Sequence, residues 1–125
     1  MEKKIEIHTL VQDKNKLKEI KRKNKLSLSF QLKMVFSKYT QLPIEDLVDI
    51  VENIYPEIKN DYKRSQITTG IRKFEESLQY FRKVHLALVT KFPRLEFNDL
   101  TSIIVHHHFR SINDPLTKKE QADIR

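Results

Sequence analysis

Residues 4 to 11 read KIEIHTLV, in which Ile5, Ile7, Thr9 and Val11 alternate with Lys4, Glu6, His8 and Leu10. That is the period of a half-buried strand, and β-branched residues favour it. Asp13 is placed to cap a helix through KNKLKEIKRKN, where Leu17 and Ile20 form a thin apolar stripe. The next stretch, NKLSLSFQLKMVFSKY, starts with a strand-like alternation of Leu26, Leu28, Phe30 and Leu32. Leu28, Leu32, Val35, Phe36 and Tyr39 then carry on at helical spacing. The helix accounts for more residues, so Asn24 is expected to end the first helix in a left-handed conformation, and Ser27 or Ser29 to cap the second.

Pro43 suits the first turn of a third helix, in which Ile44, Leu47, Val48, Val51, Ile54 and Tyr55 share a broad apolar face and Pro56 stops the run. After the polar link EIKNDYK, a seam of Ile67, Ile71, Phe74, Leu78, Phe81, His85, Leu88 and Phe92 alternates spacings of four and three. It predicts one long helix over residues 65 to 92, ended by Pro93 and able to dock a protein partner. Thr68, Thr69 and Gly70 make its first turn weak. Asn98 is placed to cap a last helix through DLTSIIVHHHFRSI, ending before Pro115. The expected fold is mainly α: a short N-terminal strand followed by about five helices. It divides into residues 1–41, residues 42–114 as a helical oligomerisation or partner-binding module, and a flexible polar tail at 115–125.

Composition sharpens this picture. One glycine and four prolines among 125 residues argue against an all-β fold, which needs many tight turns. The absence of cysteine excludes disulfides and thiolate metal sites. No apolar run approaches the roughly 18 residues of a membrane span. The start, MEKKIEIHTLVQ, lacks the apolar centre of a signal peptide, so a cytoplasmic protein is expected.

The net charge of +7 is segregated. Residues 1 to 38 hold eleven Lys and Arg against four acids, residues 39 to 58 five acids and no base, and residues 59 to 94 nine bases against three acids. Basic faces of this kind suit a polyanion, with the acidic helix kept away from it. Lys14, Lys18, Lys21 and Lys25 recur at helical spacing and form one row, with Arg22 beside it. Like charges so spaced oppose an isolated helix by about 0.2–0.5 kcal/mol per pair, which an anion would relieve.

Catalytic chemistry finds little foothold. His106, His107 and His108 are consecutive, so on a helix they fan apart instead of converging on a metal. His85 lies on the apolar seam and reads as a packed, hydrogen-bonded side chain. There is no glycine-rich phosphate loop, nucleophile elbow or HExxH motif. No catalytic residue, cofactor or metal site is assigned, and a non-enzymatic protein is expected. One alternative is a helix-turn-helix over residues 44 to 76, whose second helix would offer Arg64, Gln66, Thr68, Thr69, Arg72 and Lys73 to DNA.

A strand, a basic helix, an Asn-containing turn and then LSLSFQLKMVFSKY, over residues 3 to 40, resemble the ribbon-helix-helix family of DNA-binding proteins. The resemblance is carried by Leu26, Ser27 and Ser29 at the turn and by Leu32, Val35, Phe36 and Tyr39 along the second helix. It implies a homodimer whose two strands pair into an antiparallel ribbon that enters the major groove of DNA. Lys4, Glu6 and His8 would then point outward, and Ser27 to Ser29 would aim backbone amides at a phosphate. Repressors, plasmid or phage partition proteins and relaxosome accessories are built this way. The expected partner is nucleic acid, double-stranded DNA ahead of RNA, with a second copy of the chain. The other reading is an all-helical accessory or adaptor subunit of a nucleoprotein complex.

Overall fold

The computed structural model describes residues 3–58 and 63–113. Part of the link EIKNDYK and the tail at 115–125 lie outside these residues. The order is β1 (Lys4–Leu10), α1 (Val11–Asn24), α2 (Leu28–Tyr39), α3 (Ile44–Ile58), β2 (Arg64–Gly70), a 3-10 turn (Ile71–Lys73), α4 (Glu75–Leu88) and α5 (Phe97–Asn113). The fold is mainly helical, with an N-terminal strand, as its sequence predicts.

The first correction is β2. Residues 64 to 70 are a strand, antiparallel to β1, with Ile7 opposite Ile67 and Glu6 opposite Thr68. Two periods compete in RSQITTGI: Ile67 and Ile71 fit a helix, while Ile67 and Thr69 fit a strand. β-branched residues and a glycine weaken the helix, and the otherwise unpaired backbone of β1 supplies a partner. The long helix over 65 to 92 is therefore only α4, and the helix-turn-helix over 44 to 76 is absent because its second helix is a strand and a 3-10 turn.

The second correction concerns the ribbon. Val11 N–H donates to the Lys63 carbonyl and Ile71 N–H to the Lys3 carbonyl, each at 2.9 Å. Odd-numbered residues of β1 therefore hydrogen-bond to β2, and the even-numbered backbone groups face the outer edges. Thr101 Oγ1 donates to the His8 carbonyl at 2.9 Å on one edge, and Lys14 Nζ to the Gln66 carbonyl at 2.6 Å on the other. The ribbon thus forms within one chain, and both its edges are blocked near the middle against a further strand.

One core serves the whole described chain. Ile7, Leu17, Phe36, Leu47, Phe81 and Ile103 belong to a single buried cluster, so the expected division at residue 41 does not separate two cores. α5 is its spine: Leu100 to Val105 are all buried, as befits a helix packed on several sides. Phe36 meets the edges of Phe74 and Phe81 at centroid distances of 5.8 and 5.1 Å. Phe74, Leu78, Phe81 and Leu88 of the expected docking seam are thus buried in this chain's own core.

Helix ends differ in detail. Lys25, not Asn24, takes the left-handed conformation, at φ 59° and ψ 31°. α1 starts at Val11, so Asp13 sits inside its first turn rather than at the cap. Ser27 does cap α2, its Oγ accepting from Phe30 N–H at 3.1 Å. Pro56 lies inside α3, which continues to Ile58; buried Tyr55 and Ile58 on either side hold that last turn on the core. α5 starts at Phe97, and Asp99 reaches back to accept from Glu96 N–H at 2.9 Å, so Asn98 is not its cap.

Candidate nucleic-acid interface

Strand alternation sorts the ribbon into two faces. Ile7, Thr9, Ile67 and Thr69 are buried, while Lys4, Glu6, Arg64, Gln66 and Thr68 are exposed and His8 is half-buried. Lys4, Glu6 and His8 from one expected site and Arg64 and Thr68 from the other therefore share one outward surface. Their registers place Thr68 opposite Glu6 and Gln66 opposite His8.

Charge on this surface is uneven. Arg64 is held by Asp99 at 2.8 Å and Glu96 at 3.4 Å, which ties that end of β2 to the start of α5 and offsets its charge. Burial, and then the neighbouring Arg64 guanidinium, hold His8 below the usual imidazole range, so it presents a neutral ring at pH 7. At the opposite end, Arg72 and Lys73 follow β2 in the 3-10 turn and are exposed.

The lysine row lies along the flank of α1. Lys14 Nζ donates to Ser65 Oγ at 3.1 Å and to the Gln66 carbonyl, so its work is structural: it fixes α1 against the edge of β2. Lys18, Lys21, Arg22 and Lys25 remain exposed, and Lys18, Lys21 and Lys25 make no ion pair among the described residues. The chain returns to β2 just beyond the row, where Ser29 Oγ donates to Thr69 Oγ1 at 2.7 Å. Ser29 is thereby engaged within the fold, and Ser27 in its cap. The row runs beside β2 between these two anchors.

The turn between α1 and α2 is held from inside by a residue that the sequence pattern does not single out. Gln31, buried, donates from Nε2 to the carbonyls of Leu17 and Leu26, each at 3.0 Å. A polar residue inside an apolar helical stripe was the available signal.

Comparison with family models, curated proteins and solved structures finds no match. The chemistry of the site therefore rests on its own geometry.

The three consecutive histidines of α5 are half-buried. His106 Nδ1 lies 3.1 Å from the Asp13 carboxylate, which is fully buried. His107 Nδ1 lies 2.5 Å from the Tyr39 hydroxyl. Among the described residues no three His, Cys, Asp or Glu side chains converge as metal ligands. His85 donates from Nε2 to the Leu95 carbonyl at 2.7 Å, tying the end of α4 to the loop before α5. No helix among the described residues is long and apolar enough to cross a membrane.

Proposed function

We propose that this protein binds double-stranded DNA, in the cytoplasm, without catalysing a reaction on it. The reading rests on one juxtaposition. Exposed Lys18, Lys21 and Lys25 run along α1 beside the β2 edge to which Lys14 is hydrogen-bonded, and the outward side of that strand carries Gln66 and Thr68. A two-stranded ribbon fits the major groove, glutamine can bond adenine there in bidentate fashion, and a carboxylate such as Glu6 can accept from cytosine. The lysines would meet the backbone phosphates on one side. Lys4, Arg72 and Lys73 extend the positive surface beyond the strand ends. Because β1 and β2 come from one chain, the ribbon needs no second copy to be complete. Repressor, partition and relaxosome-accessory roles all fit such a protein.

The test is fluorescence anisotropy with duplex DNA, single-stranded DNA and an RNA hairpin over a range of salt concentrations. Affinity for the duplex should fall with a log–log slope near −0.9 per phosphate neutralised. Replacing Lys18, Lys21 and Lys25 together by Gln should make that slope shallower by about 2 to 3. An unchanged slope removes the row from the interface, and tighter binding of the hairpin overturns the choice of DNA.

A further inference from the structure

α2 turns one face to solvent that its sequence would normally bury. Phe30 is 47% exposed and Met34, one turn on, 57% exposed. With Lys33, Ser37 and Lys73 from the turn after β2 they line a shallow hollow. No acidic side chain lines it.

Three occupants can be compared. A second copy laid on the same patch about a two-fold axis would bring Lys33 and Lys73 against their own equivalents, an arrangement that like charge opposes. A protein partner needs an interface of about 1,200–2,000 Å² in total, and two apolar side chains supply only a small fraction of that. An unpaired nucleobase matches in size and charge: its face stacks on one aromatic ring, and its flanking phosphates are anions within reach of the two ammonium groups.

Position favours the same occupant. Phe30 is the third residue of α2, its N–H is held by Ser27, and the neighbouring Ser29 is bonded to Thr69. The ring therefore stands where the lysine row ends and β2 closes. Resting on the DNA-binding reading, we propose that Phe30 and Met34 form a stacking platform for an unpaired base at a junction between duplex and single strand, with Lys33 and Lys73 on its phosphates. A duplex with a single-stranded tail, rather than a blunt one, is then the preferred ligand.

The chain contains no tryptophan, so Phe30→Trp places a single reporter on the platform. The full chain is titrated with a blunt duplex, the same duplex carrying a short thymidine tail, the tail alone, and an acidic amphipathic peptide. The tailed duplex should bind more tightly than the blunt one and quench the tryptophan emission. Phe30→Ala should remove that gain, about 5- to 150-fold for a stack worth about 1–3 kcal/mol per base, and leave blunt-duplex affinity unchanged. Equal affinity for both duplexes with unchanged emission overturns the platform while the duplex reading stands. Quenching by the tail alone, with no binding of the blunt duplex, supports the platform and defeats the duplex reading. A response to the peptide but to no oligonucleotide overturns the platform in favour of a protein-docking face.

Discussion

The Tyr39 hydroxyl and His107 Nδ1 stand 2.5 Å apart, and their rings meet edge to face at 5.5 Å and 84°. The contact joins the end of α2 to α5 across 68 residues of chain. Burial pushes the Tyr39 phenol up to about 12, so it remains a hydroxyl that can donate to a neutral imidazole at any ordinary pH.

That geometry makes stability depend on pH. Burial, followed by the charges of Lys38, Arg110 and His106, holds His107 below the usual imidazole range, and burial does the same for His108. With folded values below unfolded ones, the stabilisation is complete above about pH 6.5 and is lost as pH falls from there through the folded values. Thermal unfolding should therefore show a midpoint that drops on acidification below about pH 6.5. Replacing His107 and His108 together by Gln should flatten that dependence. A wild-type midpoint that stays level on acidification through this range would contradict the buried neutral assignment.

Asp13 and His106 predict a non-additive pair. Asp13 has no exposed side-chain area, and its Oδ1 has no hydrogen-bond partner; Lys16 is 4.0 Å from that oxygen. Removing one member of such a pair costs about 3–5 kcal/mol, whereas replacing both by apolar residues is often close to neutral. Asp13→Ala should lose stability on that scale in urea unfolding, and Asp13→Leu with His106→Leu should recover most of it. A double-variant loss equal to the sum of the losses of Asp13→Leu and His106→Leu would show that the two side chains are not coupled.

Strand pairing can be trapped covalently. Glu6 and Thr68 face each other at a non-hydrogen-bonded position, where Cα atoms lie about 4.5 Å apart, within disulfide range. The chain has no cysteine of its own. Glu6→Cys with Thr68→Cys should oxidise to a cross-linked monomer, visible on a non-reducing gel. A cross-linked dimer would return β1 to pairing between two copies.

Gln31 should matter more than its place in an apolar stripe suggests. Gln31→Leu leaves the Leu26 carbonyl at the turn without its donor and should cost about 1–3 kcal/mol. If the proposed DNA binding holds, the same variant should weaken it, because Lys25 of the lysine row sits on that turn. Unchanged stability in chemical unfolding would mean that the turn holds itself.

Much of the architecture is legible in the residues alone. Alternation marks β1 and its outward Lys4, Glu6 and His8; helical spacing marks α1, α2, α3 and most of α5; and the cap of α2 is narrowed to Ser27 or Ser29, of which the structure uses Ser27. These are local features, set within a few residues by side-chain periodicity and by hydroxyl chemistry at helix starts. The apolar seam beyond residue 65 also names buried residues correctly, Ile67 and Phe74 among them, but not the backbone that carries them.

Where two local patterns tie, only packing breaks the tie. Ile67 belongs to both a helical and a strand period, and the backbone groups of β1, 60 residues away in the chain at the Ile7–Ile67 pair, decide for the strand. The same long-range event gathers Arg64 and Thr68 onto one surface with Lys4 and Glu6 and engages Lys14 and Ser29 as anchors on β2. Sequence by itself determined which residues are apolar, which are charged and how each short stretch prefers to turn. The tertiary structure decided which backbone groups find partners, because a hydrogen bond between distant strands is invisible to any local period.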